Sequence, residues 1–298
     1  MAWFKTAPRS KGVAVLTPVR DGLAALRLER HGEQHRLAAF FLNPGQPADA
    51  DHLGALAREA GLASQPLVAL LDPKDYQTVT VDAPAVPDEE LRSAIRWKVK
   101  EMLNFHVDDS VLDHLPIPAG GGRGASLYVV AGQSPAVRQL ARAYQEADLP
   151  LEVIDVRETA QHNLARRLAP PDYAVALLHL GGDLGLLTFS FGDHLILSRR
   201  IEGRGAAGEF LHDKVALEAQ RSVDYFERQY SWLPLAKLYL APMAESAGLV
   251  RRLKENLAVG VETVDLDRFC DLGGVAGLEH LEARNAAFHL LGAALREG

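Results

Sequence analysis

The stretch with the clearest chemical potential is Gly181-Gly182-Asp183, which follows a continuous apolar run over 174–180. Glycines at the end of a buried strand leave backbone amides bare, and bare amides can cradle a phosphate. Asp183 works against that use. Like charges 4 Å apart cost roughly 4 kcal/mol at an effective dielectric of about 20 unless a metal intervenes. A second glycine-rich segment, Gly120-Gly121-Gly122-Arg123-Gly124, does not run from a strand into a helix, so it reads as a flexible surface hairpin. The eleven histidines form no H-E-x-x-H pattern, and a lone Cys270 builds no zinc framework. His31, His35, His52, His106, His114 and His280 are scattered and read as surface residues. Asp88-Glu89-Glu90 and Asp108-Asp109 resemble paired catalytic carboxylates, but a helix start and a solvated turn account for them. Arg199-Arg200 and Arg251-Arg252 read as solvated basic pairs, and Trp3-Phe4 as an apolar lead-in to the first strand. No catalytic residue and no metal ligand is expected.

The elements that must position these residues follow from periodicity. Strands are expected over 12–16, 23–29 and 34–42, with a D-G turn at Asp21-Gly22. A helix over 51–60 ends at Gly61, and a buried strand over 67–71 follows. The alternation over 77–83 marks a half-exposed strand. Asp88 is the expected N-cap of a helix whose Leu91, Ile95, Val99 and Leu103 step by four along one face. Strands over 111–117, 126–131 and 152–155 alternate with helices over 134–147 and 157–168. Pro170-Pro171 then breaks the chain, which suggests a domain boundary. The second half repeats the order: strands over 174–180, 186–191 and 194–201, a helix over 208–230, a strand over 235–240, a helix over 246–257, a strand over 261–266 and a closing helix over 282–296.

Composition bounds the class. With 298 residues, 48% of them hydrophobic, the chain can bury a large core and is long enough for about two domains. A formal net charge of -7 makes nucleic acid a poor partner. One cysteine excludes an internal disulfide, which fits a reducing compartment. No apolar run reaches the roughly 18 residues of a membrane span, and the first twelve residues lack a signal-peptide core. A cytoplasmic protein is expected.

A strand, a glycine turn and a meander opening each half resembles the actin-like (ribonuclease H-like) ATPase fold, an α/β architecture of two duplicated domains. More specifically, the chain resembles the PilM-like proteins of type IV pilus assembly, in particular those of MSHA-type pili. Asp82-Ala83-Pro84 with Val86-Pro87-Asp88-Glu89-Glu90-Leu91, Ala94-Ile95-Arg96-Trp97 and Asn104-Phe105 carries part of the resemblance. Ser126 to Ala131 with Ile154-Asp155-Val156 carries more. The most specific piece is Glu218-Ala219-Gln220-Arg221-Ser222-Val223-Asp224-Tyr225-Phe226, similar to an E-x-Q-R-S-x-D-Y-Y helix. The closing helix over 286–296 completes it. GspL-like components of type II secretion platforms share the architecture.

The resemblance implies domain I over 1–170, with an inserted subdomain over about 66–117, and domain II over 171–298. It also implies three nucleotide contacts, and each looks degraded. Where the family carries D-I-G-S-x-x-V-K, this chain has Gly12-Val13-Ala14-Val15-Leu16-Thr17-Pro18. Ala14 stands for the Mg²⁺-holding Asp, Leu16 for Gly, and Pro18 lacks an amide donor. At the second turn His179 replaces Asn or Asp and Leu184 a threonine, leaving Gly181 and Gly182 as a degenerate phosphate turn. After the strand over 235–240, Ala241-Pro242-Met243 replaces the adenine-side glycine pair. The nucleotide-covering insert is reduced to a short segment holding Asp213-Lys214. The expectation is a pseudo-ATPase scaffold with neither ATP nor Mg²⁺ as working cofactor. The competing reading is an active ATPase or sugar-kinase-like enzyme of the same fold. The partner implied is a PilN-like inner-membrane protein, whose short cytoplasmic tail lies in a groove beside the inserted subdomain. Arg96 and Trp97 are the candidate contacts, with core packing as the rival reading for Trp97. No nucleic acid and no direct membrane insertion are expected, and self-association is compatible with this role.

Overall fold

A computed structural model of the chain describes residues 12–20, 22–31, 34–122, 124–181, 184–202, 211–244 and 246–296. Gly182, Asp183, Arg123, Asp21 and Trp3-Phe4 therefore lie outside the described residues.

The first half opens with a meander, β1 (Gly12–Val19), β2 (Gly22–His31) and β3 (Gln34–Pro44), followed by α1 (Ala50–Glu59) and β4 (Leu67–Leu70). After an inserted segment it resumes with α3 (Ser134–Glu146), β8 (Leu151–Asp155) and α4 (Arg157–Ala165). The second half repeats the pattern. Its meander is β9 (Ala174–Gly181), β10 (Leu184–Phe191) and β11 (His194–Ile201). Then come α5 (His212–Gln229), β12 (Leu235–Leu240), α6 (Ser246–Asn256), β13 (Gly260–Thr263) and α7 (Leu281–Ala294). The two five-stranded sheets have the same order, β3-β2-β1-β4-β8 and β11-β10-β9-β12-β13. In each, the first strand is central, antiparallel to the meander and parallel to the next strand. That position explains the unbroken apolar run of β9: both faces are covered, so nothing alternates.

The insert is β5 (Tyr76–Asp82), α2 (Asp88–Val99), β6 (Ser110–Ile117) and β7 (Ser126–Gln133), with strand order β5-β7-β6. Both edges of the expected 66–117 insert move. β4 pairs with β1 and β8 in the large sheet, and β7 is the central strand of the small one. A buried run such as Leu67–Leu70 shows its burial in the sequence but not its partner. The helix start also shifts. Pro87 is the N-cap and makes no side-chain cap bond; Asp88 sits inside the first turn, and the helix ends at Val99. Ile95 and Val99 of the expected stripe are buried against the small sheet.

Pro170 and Pro171 fall between α4 and β9, yet the apolar core does not divide there. α7 packs on β1, β2 and β4 of the first half, and α4 on β9, β10 and β11 of the second. Each half lends its closing helix to the other's sheet. One cluster joins Val15 and Leu26 to Val175, Leu177 and Phe288. Among the described residues no helix is long and apolar enough to cross a membrane.

Candidate functional site

The crossed helices α4 and α7 leave a cleft of about 760 Å³ above them, between the C-terminal ends of β1 and β9. Thr17, Pro18, Val19, Leu70, Leu71 and Asp72 form the wall from the first half. Leu180, Gly181, Met243 and Ala244 form the wall from the second. α7 contributes Glu282, Asn285, Ala286 and His289, and Arg20 and Arg157 also line the space. The volume suits a small molecule. Thr17 and Pro18 from the end of β1 and Gly181 from the end of β9 line it together, at the switch point of two repeated sheets.

Several polar groups around the cleft are bonded within the protein. Ala14 and Leu16 point into the core with Leu53 and Leu56 of α1 and are fully buried. The Leu16 carbonyl accepts the Tyr144 hydroxyl. Thr17 Oγ1 accepts from Leu70 N at 2.9 Å and donates to Leu70 O at 3.1 Å, tying β1 to β4. Asp72 is held by Lys74, at 3.1 Å through its backbone N and 3.0 Å through Nζ. On the opposite wall Asn285 Nδ2 donates to Leu180 O at 2.9 Å and to Pro242 O at 2.6 Å. One side chain thus caps the ends of β9 and of β12, where a phosphate turn and an adenine pair would be open.

Gly181 gains a different explanation. A Cβ at this position would collide with Asn285 Oδ1 and with the His179 ring. The missing side chain makes room for the protein's own groups, and no ligand is needed to account for it.

Three buried histidines, His162, His179 and His289, escaped the sequence reading as a group. His179 Nε2 donates to Asn285 O at 3.1 Å, so its neutral ring leaves Nδ1 as an acceptor, and that buried atom has no partner. His289 donates from Nε2 to Gln161 Oε1 at 3.0 Å. The Gln161 amide nitrogen is spent on Leu177 O, Leu186 O and Thr188 Oγ1, which settles the direction of the bond. The two rings lie 4.3 Å apart, and Phe288 stacks on His179 at 5.3 Å. His162 bonds Ser190 Oγ at 2.8 Å. Burial lowers all three pKa values, His162 and His179 to about 4 and His289 well below its ordinary value. The imidazoles facing the cleft are therefore neutral at pH 7 and offer a phosphate no charge. Spacing alone hid them, because each lies on a separate element: His179 and His289 meet only where β9 packs on α7, and His162 sits apart against Ser190 of β10.

On the β1 and β12 sides of the cleft, the described residues do not fit a magnesium nucleotide. The described part of the cleft offers no carboxylate on β1 and no glycine pair after β12. Among the described residues no three His, Cys, Asp or Glu come together to hold a metal.

Arg96 and Trp97 lie on α2, away from the cleft. Arg96 is half-buried and donates to Val107 O, with Asp108 at 3.8 Å, so it ties its helix to the following turn. Trp97 is 77% exposed, with Lys100 Nζ 5.8 Å from its ring centre, which excludes the core reading. The glycine-rich loop is not a bare hairpin. The indole of Trp232 lies against Gly120 and Gly121, so closely that a Cβ on either residue would overlap it.

No family model and no curated protein matches the chain. Solved structures do. A structure of a PilM-PilN type IV pilus biogenesis complex superposes with a TM-score of 0.72 at 21% identity, covering 96% of this chain and 99% of that one. The cytoplasmic domain of EpsL, an inner-membrane component of the type II secretion system of Vibrio cholerae, gives 0.53 at 14%, covering 94% of each chain. A Bacteroides thetaiotaomicron protein of unknown function, described as having an actin-like ATPase fold, gives 0.52 at 10%, covering 88% of this chain and 93% of that one. The fold is the actin-like ATPase fold, as the repeated sheet order anticipates.

Proposed function

We propose that the chain is a cytoplasmic assembly scaffold of a type IV pilus machine, of the MSHA type and similar to MshI. In this reading it binds the cytoplasmic tail of a PilN-like inner-membrane protein and sits at the membrane through that partner. It is a pseudo-ATPase, with no nucleotide or metal at work in the cleft. The observation that carries the second part is Asn285 capping Leu180 O and Pro242 O across the floor of the cleft. A phosphate-binding turn needs an open approach to its backbone, and here the Asn285 side chain lies across the ends of both strands. The pilus role is supported by the Glu218–Phe226 helix sequence and by a likeness that spans nearly the whole of both chains. The secretion-platform alternative rests on the lower superposition of 0.53.

Isothermal titration calorimetry tests both parts on the full chain. A synthetic N-terminal tail of the PilN-like protein is expected to bind in the micromolar range, and Mg-ATP to give no heat up to millimolar concentration. Tail binding that is absent overturns the scaffold reading. Micromolar Mg-ATP binding overturns the pseudo-ATPase reading and makes a nucleotide switch the better account.

A further inference from the structure

The insert is bonded to both halves through one residue. Tyr76 opens β5 and is buried. Its hydroxyl donates to Glu158 Oε2 of α4, in the first half, at 2.6 Å. Its carbonyl accepts from Arg200 Nη2 of β11, in the second half, at 3.3 Å, and the Arg200 guanidinium lies 5.2 Å from its ring centre. Other contacts run alongside. The Tyr128 and Ser198 hydroxyls are 2.6 Å apart, His194 Nδ1 donates to Pro116 O at 3.1 Å, and Trp232 covers Gly120-Gly121. Tyr76, Ile117, Tyr128 and Val130 of the insert share one apolar cluster with Phe189, Leu195 and Leu197 of the second half.

Glu158 is 1% exposed. A carboxylate there has lost its water, and the Tyr76 hydroxyl and the charge of Arg200 compensate it. Releasing Tyr76 strands an acid in the interior.

We propose that Tyr76 is the keystone of a latch that closes the first half, the insert and the second half into a ring and so fixes the width of the cleft. The covalent path gives the reason. The insert leaves the first half through residues 71–75 and returns at the Gln133-Ser134 junction, while its hold on the second half is entirely noncovalent. A hinge motion that widens the cleft must break the Tyr76 bonds or drag the insert with the second half and bend both joints. The cleft is a cavity of constant size, not a pair of jaws. This inference goes beyond the scaffold role and does not depend on it.

Spin labels at Leu42→Cys on β3 and Leu217→Cys on α5, in a Cys270→Ala background, read the width; both leucines are exposed. With the latch intact a single narrow distance distribution is expected. The double variant Tyr76→Phe with Ser198→Ala is expected to broaden it. Tyr76→Phe removes only an oxygen and supplies a second readout that does not need the double variant to fold. Amide exchange in β5, β6, β7 and β11 is expected to rise about ten-fold, the factor given by losing a hydrogen bond to a charged group, while β2 and β12 stay protected. A distribution already broad in the intact protein overturns the proposal. So does one unchanged in the double variant, or an exchange increase spread evenly over the chain.

Discussion

Acidification to pH 5 is expected to remove a large part of the protein's stability, through histidines rather than carboxylates. His162 and His179 titrate near 6.5 when unfolded and at about 4 in the fold, because burial opposes their charge. Between those values the unfolded chain binds more protons, so stability falls as pH falls through 6.5. At pH 7.5 the difference is close to zero. At pH 5 it is about 2 kcal/mol for each ring, or about 4 kcal/mol for the two, against a typical total of roughly 5–15 kcal/mol. His289 is lowered as well and adds in the same direction. Glu158 opposes them: burial raises its pKa, so its contribution is present in acid and lost as pH rises through its folded value. Urea unfolding followed by circular dichroism at pH 7.5, 6 and 5 reads the sum. The variant His179→Phe keeps a ring against Phe288 but cannot take up a proton. Its loss between pH 7.5 and 5 is expected to be smaller than the unsubstituted protein's by about 2 kcal/mol. Equal losses in the two proteins would refute the assignment, and so would a urea midpoint that does not move with pH.

Gly181→Ala is expected to destabilise by about 2–4 kcal/mol, because the new methyl displaces Asn285 and uncaps Leu180 O and Pro242 O; urea unfolding measures it. In the glycine-rich loop, Gly120→Ala is expected to cost about 1–3 kcal/mol against the Trp232 indole. Gly124→Ala, with open space around its Cβ, stays within about 0.5 kcal/mol by the same measurement. Trp97→Ala is expected to leave stability within about 0.5 kcal/mol, since the ring is exposed, and to weaken binding of the PilN-like tail about ten-fold or more, as a truncated interface anchor does. Unchanged calorimetric affinity would remove Trp97 from the partner surface.

Repetition of strands, a glycine turn and a meander made the duplicated α/β architecture legible, because the periods of strands and helices are local properties. Residue types could be read as well: Ala14 and Leu16 carry no carboxylate, and Pro18 and Pro242 carry no amide N–H, whatever surrounds them. Other features depended on pairing between distant segments. β4 and β7 carry similar apolar runs, and only their neighbours decide that one belongs to the large sheet and the other to the insert. Gly120 and Gly181 read as freedom of the backbone, but their role is set by Trp232 and Asn285, both more than 100 positions away in the chain. His162, His179 and His289 carry no motif, and their pKa values come from the burial that the crossing of α4 and α7 imposes. Tyr76 likewise became a keystone only when Glu158 and Arg200 arrived from opposite halves. The order of elements could be read along the chain, because it depends on residue type and near neighbours. Tertiary structure decided which polar groups are spent on one another, because desolvation and contact exist only once distant segments have packed.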